Sequence, residues 1–86
     1  LGEANQPPGI GDVDAITTAS GFYRYTGATT NAASLPSALS GGAGIIRVER
    51  GSASALSQTA WRNGQQGGGR WWRGYASGSW GEWRNL

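Results

Sequence analysis

This chain of 86 residues contains no cysteine, no histidine, no lysine and no methionine. Without cysteine it has no disulfide framework and no cysteine-based zinc site. Without histidine and lysine it has no ordinary base to activate any of its nine serines, so nucleophilic catalysis is disfavoured. A metal site would depend on oxygen ligands, which suit Ca²⁺ or Mg²⁺ better than transition metals. The composition predicts neither an enzyme nor a cofactor.

Large aliphatic side chains are also scarce. Leu, Ile, Val and Phe together number twelve, whereas Gly, Ala and Ser together number thirty-seven. Five tryptophans and three tyrosines supply the missing apolar surface, because each can bury roughly 150–250 Å². A core of this size gives a small domain only marginal stability. We therefore expect the domain to need partners.

The net charge is only +2, and all seven basic residues are arginine. Arginine favours planar stacking and bidentate contacts, although a genome biased against lysine explains the same composition. Clustered arginines between aromatic residues are also typical of single-stranded nucleic-acid binding, but the charge is small for that function. No apolar run approaches the roughly 20 residues of a membrane span. We expect neither a nucleic-acid partner nor membrane insertion.

The pattern along the chain predicts a small, mainly β domain of antiparallel strands with one short helix near its start. Residues 1–11 contain two prolines and three glycines and are typical of a linker, so the predicted domain covers 12–86. Asp12 or Asp14 is placed to cap a helical turn that ends at Gly21. Residues alternate with a period of two in four predicted strands, at 21–26, 44–50, 55–62 and 70–76.

The last predicted strand separates its two adjacent indoles. Trp71, Arg73 and Tyr75 lie on one face, and Trp72 lies on the other with small residues. Only one of the two indoles can therefore join the core. Trp80 and Trp83, three residues apart, indicate an irregular corner rather than a strand.

Three segments give the chain from Asp12 to Leu86 a family resemblance: 12–24 (DVDAITTASGFYR), 56–61 (LSQTAW) and 70–86 (RWWRGYASGSWGEWRNL). Their order and spacing resemble the C-terminal domain of bacteriophage and prophage tail fibres. The resemblance implies a homotrimer at the distal end of a fibre in the virion, joined to other tail proteins upstream. It also implies binding to a host cell-surface receptor, commonly a polysaccharide or an outer-membrane component. The insert at 63–69 and the doubled Trp71-Trp72 depart from the family signature.

Candidate receptor-binding residues lie in the aromatic and glycine-rich end of the chain. An exposed indole beside arginine is a common recognition feature, and Trp72 is the better candidate of the doubled pair. Arginine can hold anionic groups of a glycan or stack on an indole. Amides on a glycine-rich turn can pair with hydroxyl groups. The predicted receptor-binding residues are Gln65, Gln66, Arg70, Trp72, Arg73 and Tyr75.

The remaining large side chains are predicted to form the core or the trimer contact. This set contains Phe22, Tyr23, Ile46, Val48, Leu56, Trp61, Trp80 and Trp83. Stacking of Trp80 or Trp83 on a sugar is the less favoured alternative. Asp12 and Asp14 could also form a Ca²⁺ site or an acid and base pair, but a helix cap explains them more simply. A purely structural domain that caps the trimer without contacting a receptor is the alternative function.

Overall fold

The computed structural model describes residues 6–63 and 68–86. Six strands form one antiparallel sheet, and the only helix in the described ranges is a single 3₁₀ turn at Ala32–Ser34. The sheet follows the order β1-β2-β3-β4, and β5 and β6 both pair with β4. The strands are β1 (Gly21–Tyr25), β2 (Gly44–Ser52), β3 (Ala55–Arg62), β4 (Trp71–Ala76), β5 (Ser79–Trp80) and β6 (Arg84–Asn85).

The four longer strands agree with the predicted ones to within a few residues, which confirms the mainly β antiparallel fold. Alternation determines their faces, because successive side chains of a strand point to opposite sides. In β3, Leu56, Gln58 and Ala60 are all buried on one side. Cross-strand pairing continues this side through Ile46 and Val48 of β2. We call this side of the sheet the covered face.

The core lies between the covered face and segments outside the strands. Strand residues contribute Tyr25, Ile46, Val48, Leu56 and Ala60. The segments before β1 and between β1 and β2 contribute Ile10, Val13, Leu35 and Leu39. Of the residues predicted for the core or the trimer contact, Ile46, Val48 and Leu56 are buried in this core, and Tyr23, Trp80 and Trp83 are partly buried against it.

Residues from Pro7 to Ile10 pack along the outer edge of β1. Gly9 forms a parallel bridge with Arg24, and the Arg24 backbone N–H donates to the Pro8 carbonyl at 2.9 Å. Ile10 is 5% exposed and belongs to the core. The predicted linker at 1–11 therefore extends too far, because extended proline-containing backbone can line a sheet edge by using its carbonyl groups as acceptors.

The helix predicted after Asp12 is wrong. Residues 12–15 form a turn in which the Asp12 carboxylate accepts the Asp14 N–H at 2.9 Å, and no helix follows. The Asp12 side chain satisfies a local backbone donor as a capping residue does, but it stabilises an Asx turn. Val13 is fully buried, and its N–H donates to the Thr30 carbonyl. These long-range contacts replace the helical hydrogen bonds.

Phe22 and Trp61 do not belong to the core of the single chain, which leaves the trimer contact as the predicted role for them. Phe22 is 52% exposed and Trp61 is half-buried. Their rings meet edge to face with centroids 6.4 Å apart, on the side of the sheet opposite the covered face. The strand period explains the outcome, because Phe22 alternates with Tyr23 and Tyr25, which face inward.

This placement predicts a small stability effect at Phe22. We expect Phe22→Ala to lower the free energy of unfolding by about 1 kcal/mol, because the side chain is half exposed already. Leu39→Ala, at a fully buried position, is the comparison and should cost about 2–5 kcal/mol. Urea unfolding at several protein concentrations measures both. An equal loss in the two variants, independent of concentration, would contradict the assignment of Phe22 to the outer side.

Candidate functional site

Arg73 of β4 lies in the covered face and is only 5% exposed. Its Nε donates to Gln58 Oε1 at 2.8 Å, and its Nη2 donates to Asp14 Oδ1 at 2.7 Å and to the Val13 carbonyl at 3.1 Å. Burial lowers the pKa of Arg73, and the hydrogen bond and charge of Asp14 act in the opposite direction. The guanidinium group therefore joins β4 to β3 and to the segment before β1.

Two indoles enclose the same guanidinium group. Its central carbon lies 4.0 Å from the ring centroid of Trp80 and 4.7 Å from that of Trp83. The indole N–H of Trp80 donates to the Asp14 carbonyl at 3.0 Å, and that of Trp83 donates to the Ser34 carbonyl at 2.8 Å. Cation–π contacts and hydrogen bonds thus hold the end of the chain against its beginning. Arg73 is a structural residue here, so its predicted contact with a receptor is wrong for the folded chain.

The opposite side of the sheet, which we call the open face, carries a row of side chains across the strands. Phe22 pairs with Arg47, Arg47 with Thr59, Thr59 with Trp72, and Trp72 with Arg84. The flanking positions on this face are Arg24, Ile45, Glu49, Ser57, Trp61 and Gly74. Aromatic rings and arginines therefore lie on either side of Thr59, which is itself buried.

Trp72 is the central exposed aromatic residue of the open face, with 36% of its surface accessible. Its ring lies against Gly74, where an added Cβ would sit 3.1 Å from the indole Cη2 and 3.4 Å from Cζ2. The missing side chain at Gly74 leaves room for the six-membered ring of the indole. The exposed part of the indole is then available as an apolar platform.

Two shallow depressions flank this platform, and Trp72 and Gly74 line both. The first, of about 480 Å³, also contains Glu49 and Ser57. The second, of about 520 Å³, contains Glu82 and Arg84. Each side of the indole therefore offers charged or hydroxyl groups that can donate or accept hydrogen bonds. Such an arrangement suits a ligand with one apolar face and polar edges.

A second aromatic group lies towards β1 on the same face. The guanidinium carbon of Arg70 sits 4.1 Å from the Trp61 ring centroid. Arg47 pairs with Glu49 at 3.4 Å, with both side chains about half exposed, so this ion pair contributes little to stability. The Arg47 Nε is buried without a hydrogen-bond acceptor among the described residues.

The predicted receptor-binding residues thus divide between the two sides of the sheet. Trp72 and Arg70 lie on the open face. Tyr75 packs on the core and meets Trp80 at 5.3 Å between ring centroids, although it borders the first depression. Gln65 and Gln66 lie outside the described residues. Four polar residues that border Trp72 were not identified from the sequence, namely Glu49, Ser57, Glu82 and Arg84. The strand period, combined with the cross-strand register beside Trp72, could have identified them.

The carboxylates near the start of the chain have structural partners. Hydrogen bonds from the Asn31 amide and the Asp14 N–H lower the pKa of Asp12. Asp14 accepts from Ser34 and Arg73. Within 6–63 and 68–86, no group of three acidic side chains is placed to hold a metal ion. The described helix is also far too short to cross a membrane.

Comparison with protein-family models, with curated proteins and with solved structures finds no match to this chain.

Proposed function

We propose that this chain is the receptor-binding end domain of a phage or prophage tail fibre, and that it recognises a glycan or another component of the host cell surface without catalysis. The domain would act in the virion, at the surface of the host cell. The family resemblance of the sequence motivates the fibre assignment. The observation that carries the binding function is the partly exposed indole of Trp72, which lies beside Gly74 between two shallow depressions with charged residues at their edges.

A sugar ring matches this surface chemically. Its C–H face can stack on an indole, while its hydroxyl groups reach donors and acceptors at the edge. The carboxylates of Glu49 and Glu82 and the guanidinium of Arg84 are placed on either side of the indole for that purpose. Charged groups form stronger hydrogen bonds than neutral ones do, so they can compete with water for hydroxyl groups.

The composition favours binding over hydrolysis. The chain has no histidine and no lysine to serve as an ordinary base for a nucleophilic serine. The carboxylates of Glu49 and Glu82, beside Trp72, line different depressions. The proposed function is therefore recognition alone.

Assembly into a homotrimer is part of the proposal. The segment at 7–10 lines the edge of β1, and β5 and β6 share the outer edge of β4, so neither edge invites pairing with another copy. Phe22, Ile45 and Trp61 offer an apolar surface on the part of the open face away from Arg84. The second candidate function is trimer formation alone. The apolar Phe22–Trp61 pair on the open face favours it.

Replacing Trp72 tests the recognition function. We expect Trp72→Ala to weaken binding to an array of bacterial surface polysaccharides about thirtyfold, because removing a stacking anchor costs about 2 kcal/mol. The free energy of unfolding should change by less than about 1 kcal/mol, since the side chain is partly exposed. Gly74→Val should also weaken binding, because the larger side chain lifts the indole from the strand.

Trp83→Phe is the matched control, because it changes an indole on the covered face and should leave glycan binding unaltered. Light scattering of each variant over a dilution series gives the number of chains in the assembly. Unchanged polysaccharide binding by Trp72→Ala, with a mass of three chains, would reject the recognition function and support the purely structural one.

A further inference from the structure

Arg70 provides a ready contact for an anion on the open face. Its side chain is exposed, and its guanidinium carbon lies over the Trp61 ring, 4.1 Å from the ring centroid. No salt bridge involves Arg70 among residues 6–63 and 68–86. A guanidinium group that stacks through its flat face keeps its N–H edge free, and that edge matches a carboxylate with two parallel hydrogen bonds.

The Arg70–Trp61 pair lies close to the platform of Trp72. Thr59 is the direct cross-strand partner of Trp72, and Trp61 follows Thr59 by two residues on the same face. Such diagonal neighbours on adjacent strands are about 7–8 Å apart. Neighbouring units of one oligosaccharide could therefore contact Trp72 and the Arg70–Trp61 pair together.

The balance of charges on the open face also favours an anionic ligand. Arg47 and Glu49 are paired with each other. Arg24, Arg70 and Arg84 then remain against the single carboxylate of Glu82, which lies beside Arg84 in the second depression. The side of Trp72 towards Trp61 thus has a net positive charge, whereas the other side is nearly balanced.

Building on the proposed recognition through this face, we infer that the ligand is an acidic oligosaccharide, with one unit stacked on Trp72 and the carboxylate of a neighbouring unit held by Arg70. A single-stranded nucleic acid is the other anionic polymer that stacks on aromatic rings. Its binding depends on neutralising one phosphate after another along the backbone, and the carboxylate of Glu82 beside Trp72 opposes that. An acidic oligosaccharide fits this charge pattern better, because one ring can stack on Trp72 and only one neighbouring carboxylate has to be held by Arg70.

The test compares two probes of equal length, an acidic hexasaccharide of galacturonic acid and a neutral hexasaccharide of galactose. Titration calorimetry should show tighter binding of the acidic probe. Arg70→Gln should weaken that binding about tenfold, because it removes one charge-assisted contact, and should change binding of the neutral probe less than about twofold. Higher salt should reduce the difference between the probes, because it screens exposed charges.

Arg62→Gln is the matched control, since it removes the same charge on the covered face, where the Arg62 guanidinium lies beside Gly42. If Arg62→Gln and Arg70→Gln reduce acidic binding equally, the specific contact is rejected. Suppose that the neutral hexasaccharide binds as tightly as the acidic one, and that its binding is lost in Trp72→Ala but not in Arg70→Gln. That result would overturn this inference and leave the proposed function intact. If neither hexasaccharide binds and the polysaccharide array is also negative, the proposed function fails. Tighter binding of a twelve-residue oligothymidylate than of either sugar would assign the face to nucleic acid.

Discussion

Replacing Arg73 with alanine should lower the free energy of unfolding by about 3–5 kcal/mol, the range for breaking one partner of a buried ion pair. The change leaves Gln58, Asp14 and the Val13 carbonyl without their common donor. It also empties the space between the rings of Trp80 and Trp83. Small domains have only about 5–15 kcal/mol of stability in total, so the loss is a large share. Guanidinium chloride unfolding, followed by tryptophan fluorescence, measures it.

Arg47→Ala is the matched control for Arg73, because it removes an arginine whose ion pair is exposed and long. Its expected cost is below about 1 kcal/mol. Arg73→Lys should restore part of the stability only, since a lysine cannot form the same set of planar contacts. If Arg73→Ala folds as stably as the parent chain and loses only ligand binding, the structural assignment of Arg73 is wrong.

Substituting alanine for Gly44 should cost about 3 kcal/mol, at the upper end of the range for overpacking a core. Gly44 is buried at the start of β2. A Cβ there would collide with the backbone carbonyl of Trp61 and would lie 2.7 Å from the ring of Tyr25. Because Trp61 contributes a backbone atom of the sheet, rotation of a side chain cannot relieve the collision.

Gly11→Ala is the companion substitution for Gly44, as an added Cβ at Gly11 meets no atom within 4 Å. It should change the midpoint of thermal unfolding by only a degree or two, equivalent to about 0.5 kcal/mol or less. Comparable midpoints for the two variants would show that β2 can shift away from β3 at Gly44.

The strands could be predicted from the sequence because the alternation of side chains that identifies a strand lies within a few consecutive residues. Alternation placed Trp71 and Trp72 on opposite faces, and the pairing of β3 with β4 agrees with that assignment. The same alternation placed Arg73 beside two aromatic residues on what became the covered face. The signal for its burial was Gln58, a second polar residue at the matching position of the neighbouring strand. The charge of Arg73 alone suggested a ligand contact, whereas the strand register places its side chain inside the covered face.

The non-strand half of the core could not be predicted in this way. Ile10, Val13, Leu35 and Leu39 stand in stretches without periodicity, and their burial depends on contacts made by residues distant in sequence. Because these four side chains join the core, it is larger than the composition led us to expect. The Cα radius of gyration is 12.3 Å, close to the about 12 Å of a compact domain of this length. The single chain thus has a core of its own, and trimer formation stays a prediction, which concerns the open face.

The five tryptophans allow the most direct test of the open face as the recognition surface. The indole N–H groups of Trp71, Trp80 and Trp83 donate to the carbonyls of Gly68, Asp14 and Ser34. Those of Trp61 and Trp72 have no acceptor among the described residues. We would record the indole signals of ¹⁵N-labelled protein while adding the galacturonic acid hexasaccharide, or the strongest polysaccharide ligand from the array. The account predicts that the Trp72 signal moves most and that of Trp61 follows, while the three hydrogen-bonded indoles stay in place. Saturable binding that shifts those three and leaves Trp72 unchanged would contradict it.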